Sequence, residues 1–109
     1  MGVNKFKVFW TKNASLDLEE IVDFISEDRA SSALKIFLEI RAKCEKLAKQ
    51  PEKCRIVPEL REIGILNYRE LIVGNYRIFY KIEHELIYIF AVVDGRRDME
   101  TFLFNRLIK

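Results

Sequence analysis

The stretch from Tyr68 to Asp98, YRELIVGNYRIFYKIEHELIYIFAVVDGRRD, decides the fold. Its apolar runs are typical of strands, and two short groups of turn residues, Gly74-Asn75 and Glu83-His84-Glu85, separate them. Glycine and asparagine both tolerate the positive φ angles that tight hairpin turns require. We therefore predict three antiparallel strands, over residues 68–73, 76–82 and 86–93.

The chain before these strands has the pattern of one strand followed by two helices. Residues 5–11 alternate between apolar and polar side chains, as a half-buried strand does. Two segments then show helical periodicity, the second from about Ser31 to Lys49, and the short break between them favours a helical hairpin. We expect Asn13 or Ser15 to cap the first helix, with the acidic side chains that follow near its N-terminus. The predicted inward-facing residues are Phe6, Val8 and Trp10 on the strand, Leu18, Ile21, Val22 and Ile25 on the first helix, and Ala33, Phe37, Ile40, Cys44 and Leu47 on the second.

The remaining segments complete a single predicted domain over residues 1–109. Residues 51–67 have the pattern of a loop with a short turn around Glu59–Ile63, and Met99–Ile108 that of a short helix capped by Asp98. The order is strand, helix, helix, three strands and a C-terminal helix. This order predicts an α+β fold, an antiparallel sheet with the helical hairpin packed on one face.

Composition restricts the possible functions. The 109 residues carry 19 Lys and Arg against 17 Asp and Glu, a net charge of +2, which is not the strongly basic balance of a typical nucleic-acid binder. Cys44 and Cys54 form no CxxC pair, so we predict no metal site, no cofactor and a reducing, cytoplasmic location. No apolar run approaches the length of a membrane-spanning helix, so we predict no contact with a membrane.

The hairpin turns imply a cross-strand register and two sheet faces. One face is nearly all apolar and is expected to carry the helices. It contains Leu71, Val73, Tyr76, Ile78, Tyr80, Tyr88, Phe90 and Val92. The other face is mixed and is expected to be open. It contains Glu70, Ile72, Arg77, Phe79, Lys81, Ile89 and Ala91.

Arginine side chains are expected to gather at one end of the open face. Arg77 should approach the turn of residues 94–98, which contains Arg96 and Arg97. Arg77 could form a structural ion pair with Asp94, Asp98 or Glu70. Alternatively the arginines could belong to a binding surface, because monomeric proteins rarely leave an apolar patch bare. Arg69 is expected to bridge to the helical hairpin instead.

At these residues the sequence resembles the RelE/ParE superfamily of toxins from type II toxin–antitoxin systems. The resemblance extends over nearly the whole chain. It rests on the helical hairpin and on the segments Ala14-Ser15-Leu16-Asp17-Leu18, Tyr68-Arg69-Glu70-Leu71, Tyr76-Arg77-Ile78-Phe79-Tyr80 and Gly95-Arg96-Arg97-Asp98. It implies a small cytosolic growth inhibitor that a cognate antitoxin protein wraps and neutralises.

The superfamily has two main activities, and the resemblance leaves both open. RelE-like members cleave mRNA on the ribosome, whereas ParE-like members poison DNA gyrase. Arg77 and Arg97 match the arginines of RelE-like enzymes and would be the catalytic residues of a nuclease. The usual C-terminal Tyr or His is missing from residues 99–104, and Asp94 stands where many relatives have histidine. His84 is expected to be a solvated turn residue.

These differences favour the ParE-like interpretation, a toxin that acts on DNA gyrase. The alternatives are a ribosome-dependent mRNA endoribonuclease, in which Glu70 could serve as a base, and a decayed member that only binds its antitoxin. The residues predicted to contact the target or the antitoxin are Arg77, Phe79, Lys81, Arg96 and Arg97.

Overall fold

The predicted element order and α+β class are confirmed by the computed structural model, which describes residues 6–108. The predicted first strand began at Lys5, which lies outside the described residues. The strands are β1 (Lys7–Trp10), β2 (Tyr68–Val73), β3 (Tyr76–Glu83) and β4 (Leu86–Asp94). The helices are α1 (Lys12–Ser26), α2 (Ala30–Glu45), α3 (Pro58–Arg61) and α4 (Met99–Ile108), and a 3₁₀ turn (Lys46–Ala48) follows α2.

Within residues 6–108 the sheet has four strands in the order β1-β4-β3-β2. The antiparallel pairing of β2, β3 and β4 is confirmed, with Gly74 at φ 59° in the first hairpin turn. β1 instead runs parallel to β4, from Lys7 opposite Leu86 to Trp10 opposite Ile89. The sheet is therefore mixed rather than wholly antiparallel. The α1–α2 hairpin makes this possible, because parallel strands need a long connection across a sheet face.

Short polar side chains cap the N-termini of α1 and α4. The cap of α1 differs from the prediction, whereas that of α4 agrees with it. Thr11 caps α1, accepting a hydrogen bond from the Ala14 N–H at 3.2 Å, so the predicted caps at Asn13 and Ser15 are wrong. The helix begins at Lys12, directly after β1, which leaves both residues inside it. The predicted cap of α4 is confirmed, since Asp98 accepts from the Thr101 N–H at 3.2 Å.

The helical hairpin packs on one face of the sheet, as predicted. The stripes of α1 and α2 meet side chains from all four strands there, which encloses an apolar core. Its fully buried members are Ala14, Leu18, Ile40, Cys44, Leu47, Val73, Ile78, Tyr80, Ile87, Ile89 and Val92.

A β-bulge in β4 changes which side chains point to each face. Phe79 lies opposite Ala91 and Tyr80 lies opposite Ile89, so Phe90 has no direct partner on β3. An extra residue shifts the alternation of the strand by one. The predicted placement of Tyr88, Phe90 and Ile89 is therefore wrong. Ile89 belongs to the core under the hairpin, Phe90 packs in a second core on the opposite face, and Tyr88 contacts Phe9.

The second sheet face is covered, and the prediction that it is open is wrong. α3 and α4 pack across it over an apolar core whose buried members are Val57, Leu60, Phe79, Ala91, Val93, Met99 and Leu103. The sequence predicted α4 itself, but local patterns gave no indication that α4 packs against this face. None of the helices in residues 6–108 combines the length and the apolar character needed to cross a membrane.

Candidate functional site

Arg77 lies at the centre of an ion-pair network on the second sheet face. Its Nη1 and Nη2 atoms donate to the two carboxylate oxygens of Glu59 at 2.9 and 2.7 Å. Its Nε donates to Oε1 of Glu70 at 2.7 Å, and Nη2 lies 2.6 Å from the same oxygen. All three guanidinium nitrogens therefore contact a carboxylate, and the side chain is only 12% exposed.

Glu70 is the most deeply buried charged group of this network. Its residue exposure is 1%, and its second carboxylate oxygen accepts a hydrogen bond from Nε of Arg55. Backbone hydrogen bonds hold Arg55 beside β2, because the Glu70 N–H donates to the Arg55 carbonyl at 3.0 Å. A buried carboxylate is tolerated only when it is paired and hydrogen-bonded. The proposed Glu70–Arg77 ion pair is therefore present, and the pairs with Asp94 and Asp98 are not.

The contact between Arg77 and Glu59 shifts the pKa of both groups toward their charged forms. Hydrogen bonds with Arg77 lower the pKa of Glu59, and the same hydrogen bonds raise the pKa of Arg77. Such shifts mean that the charged pair is favoured in the folded state. The sequence did not identify Glu59, which lies 18 residues before Arg77 in a segment without regular patterning.

Phe79 and Lys81 follow Arg77 on the same face and differ in accessibility. Phe79 is fully buried and lies beneath α4, with its ring 6.4 Å from that of Phe102. It is therefore not part of the protein surface in this structure. Lys81 is partly exposed and lies between the rings of Tyr68 and Tyr88, with Nζ 5.9 and 6.0 Å from their centroids.

Arg96 lies in the turn after β4 and pairs with Asp94. Its Nε and Nη2 atoms donate to the two carboxylate oxygens at 2.9 and 2.6 Å, and its side chain is 79% exposed. These hydrogen bonds, together with one from the Arg96 N–H, lower the pKa of Asp94 to about 2. A Cβ on Gly95 would lie 3.3 Å from the Asn75 carbonyl oxygen and 3.5 Å from the Arg77 side chain, so glycine suits this close approach.

A groove between α1 and this turn contains the exposed arginines. It has a volume of about 260 Å³, and we call it the arginine groove. Arg96 and Arg97 form one side, and Phe24 of α1, 75% exposed, forms the other. Arg77 is not among the residues that line it. The residues lining the groove are Asp17, Glu20, Ile21, Phe24, Ile25, Tyr76, Val92, Val93, Asp94, Arg96 and Arg97.

Asp17 and Arg106 connect the arginine groove to α4. Arg106 donates to both carboxylate oxygens of Asp17 at 3.0 Å and to the Phe90 carbonyl at 2.8 Å. Asp17 also accepts a hydrogen bond from the Val92 N–H at 3.0 Å. β1 ends before Val92, so this contact gives the β4 backbone donor a partner that β1 does not provide. Neither residue was assigned a role from sequence, since their partners lie on distant elements.

The other sequence-based candidates lie apart from these sites. His84 is an exposed turn residue between β3 and β4, as predicted, with φ 58°. Arg69 donates to the Cys54 carbonyl, beyond the end of the helical hairpin rather than on its helices. Among residues 6–108, no three His, Cys, Asp or Glu side chains lie close enough together to hold a metal ion.

Comparison with protein families gives a match over residues 8–99, to the family described as "ParE toxin of type II toxin-antitoxin system, parDE". The match covers most of the chain. This protein belongs to the ParE toxin family. Comparison with the curated proteins gave no significant match.

Two solved structures resemble the fold of this ParE-family toxin. One is the chromosomal ParDE toxin–antitoxin system from P. aeruginosa, with a TM-score of 0.70 and 18% identity, covering 84% of this chain and 98% of the other. The second is the toxin–antitoxin complex RelBE2 from Mycobacterium tuberculosis, with a TM-score of 0.61 and 17% identity, covering 82% and 90%. At such low identity, these similarities show that this chain has the same fold as the two solved structures, and nothing beyond the fold.

Proposed function

We propose that this ParE-family toxin inhibits growth by binding DNA gyrase, and that a cognate antitoxin protein neutralises it in the cytoplasm. The observation that carries the choice of target is the environment of Arg77. A nuclease would need this guanidinium to contact the scissile phosphate. Here Glu59 and Glu70 hold all three of its nitrogens, and little of the side chain reaches solvent.

A phosphate at Arg77 would have to displace Glu59. The Glu59 carboxylate is bidentate and belongs to a network that also neutralises the buried Glu70, so the displacement would be costly. The titratable side chains nearest to Arg77 are the same two carboxylates, both held by arginine. This arrangement supports a structural role for Arg77 and favours binding of a protein target over cleavage of RNA.

The arginine groove is the surface that we propose for the target. It combines an exposed aromatic ring, Phe24, with two exposed arginines, Arg96 and Arg97. Aromatic residues and arginine are enriched where protein partners bind most strongly. Phe79 has no direct contact in this proposal because it is buried, and Lys81 lies on the other face of the sheet.

The test is expression of the protein without its antitoxin, with parallel measurement of plasmid supercoiling and of mRNA 5′ ends. We expect growth arrest, inhibition of purified gyrase and intact mRNA. Arg97→Ala and Phe24→Ala should each weaken inhibition of gyrase about tenfold or more. Arg29→Ala is the matched control, because Arg29 is exposed and its side chain does not cap α2.

The alternatives give different results in the same experiment. New 5′ ends in register with codons, abolished by Arg77→Lys and Arg97→Ala in folded protein, would contradict the gyrase proposal and identify a ribosome-dependent nuclease. Normal growth together with tight antitoxin binding would identify a decayed member of the family.

A further inference from the structure

A second groove lies between α3 and α4, over the second sheet face. It has a volume of about 320 Å³, and we call it the α3–α4 groove. Leu60 and Leu103 are buried members of the core beneath it, whereas Ile63 is 70% and Phe104 60% exposed. Its apolar lining residues are Leu60, Ile63, Ile65, Leu103, Phe104 and Leu107.

The charged residues that line this groove are both acidic. Glu59 is one of them, and its carboxylate is bound to Arg77. Glu100, in the first turn of α4, is exposed. An exposed carboxylate such as that of Glu100 repels the phosphates of nucleic acid and attracts lysine or arginine. The groove therefore suits a protein segment that carries an apolar side chain next to a basic one.

We propose that the α3–α4 groove binds a short segment of the antitoxin, with an apolar side chain between Ile63 and Phe104 and a Lys or Arg beside Glu100. This inference rests on the proposed function, because it requires an antitoxin partner. The apolar lining favours the antitoxin over gyrase. A partner that stays bound keeps such a surface permanently covered, and long-lived interfaces are more apolar than transient ones.

The position of the groove gives the antitoxin a contact separate from the arginine groove. Arg96 and Phe24 lie on the side of α1, whereas Ile63 and Phe104 lie over the second sheet face. An antitoxin that occupied both would hold the toxin at two sites at once, which raises overall affinity through effective concentration.

The test uses the full chain and the protein encoded by the adjacent reading frame, with the dissociation constant measured by calorimetry. We expect Phe104→Asp and Ile63→Asp each to raise the dissociation constant about tenfold or more. Leu66→Asp is the matched control, since Leu66 is exposed in the same connection but does not line the groove. Thermal unfolding of each variant verifies that it is folded.

A charge reversal tests the basic contact independently. Glu100→Lys should weaken binding, and the loss should shrink at high salt because the interaction is electrostatic. Glu62→Lys is the control. Glu62 directly follows α3, is exposed and does not line the groove. Amide hydrogen exchange should also show protection of residues 60–66 and 100–107 in the complex.

The remaining outcomes distinguish this inference from the proposed function. Unchanged antitoxin binding by the folded groove variants would overturn the groove assignment and leave the toxin–antitoxin proposal intact. Unchanged antitoxin binding with loss of gyrase inhibition would make the groove a target surface instead. If the unaltered chain bound no antitoxin, this inference and the proposed neutralisation by an antitoxin would both fail, while gyrase inhibition would still be decided by the supercoiling measurement.

Discussion

Arg106 of α4 and Asp17 of α1 form a two-point ion pair, with both pairs of nitrogen and oxygen atoms 3.0 Å apart. The two residues are 89 positions apart in the chain. The pair joins the helix on the second sheet face to the helical hairpin on the first, around the edge of β4. Its side chains are largely shielded, which makes the interaction stronger than that of an exposed pair.

A double-mutant cycle should detect this coupling. Asp17→Ala and Arg106→Ala each remove one partner, and the double variant should show a coupling free energy of about 1.5 kcal/mol in urea unfolding. The same cycle on Lys81 and Glu83, which are more exposed and 4.0 Å apart, should give less than about 0.5 kcal/mol. Equal couplings would mean that the Asp17–Arg106 pair does not anchor α4.

Loss of Arg77 should destabilise the fold more than loss of Glu59. Arg77→Ala removes the main partner of the buried Glu70, so the free energy of unfolding should fall by about 3 kcal/mol. Glu59→Ala leaves Arg77 paired with Glu70 and should cost about 1 kcal/mol. Chemical unfolding monitored by circular dichroism measures both. If both variants lost the same stability, the Arg77–Glu70 contact would contribute no more than the Arg77–Glu59 contact.

Because Arg77→Ala is expected to be unstable, its loss of activity alone would not identify a catalytic residue. Arg77→Lys keeps a positive charge beside Glu70 but lacks the fork that binds two carboxylates. Its stability should therefore lie between those of the unaltered chain and Arg77→Ala. This ordering provides the fold control for every functional test at the position.

The Asp94–Arg96 contact should make stability depend on acid pH. The folded pKa of Asp94 is lowered from 3.8 to about 2, chiefly by the Arg96 hydrogen bonds. Because a lowered pKa favours the charged native state, this contribution is fully present above the unfolded pKa and disappears as pH falls through the folded one. The stability difference between the unaltered chain and Asp94→Asn should shrink between about pH 5 and about pH 2. A constant difference would contradict the contact.

Cys44 should report global unfolding through its thiol. Burial raises its pKa to about 12, and the thiolate is the reactive form. In a Cys54→Ser background, iodoacetamide near neutral pH should label the native protein far more slowly than the protein in urea. Similar rates in the two states would mean that the core under the helical hairpin opens without global unfolding.

Local sequence signals predicted most of the elements. The turn residues Gly74-Asn75 fixed the pairing of β2 with β3, and Asp98 correctly predicted the start of α4. The helical stripes correctly identified most of the residues of α1 and α2 that pack on the sheet, although Ala14 and Ile36 were missed and Ile25 and Ala33 are not part of that core. Each of these signals depends on residues within a few positions of one another, where backbone preferences and side-chain periodicity act directly.

The candidate site was harder to predict, because its interactions connect distant positions. Arg77 was recognised as an arginine that needs a partner, and Glu70 was among its proposed partners. Glu59 was not, since nothing near it in the sequence indicates that α3 packs over β3. The bulge at Phe90 was also missed. It moves the side chains of Tyr88, Phe90 and Ile89 to other faces without any distinctive residue that marks it.

The sequence alone therefore determined most of the elements, their order and the α+β class, because these follow from local turn chemistry and hydrophobic period. The exception is α3 (Pro58–Arg61), which was predicted only as a loop with a short turn. Only the tertiary structure decided that β1 pairs with β4, that α4 covers the second sheet face, and that Glu59 and Glu70 hold Arg77. The physical reason is that burial and ion pairing depend on which surfaces meet after folding. Residues such as Asp17 and Arg106 acquire their partners only at that stage.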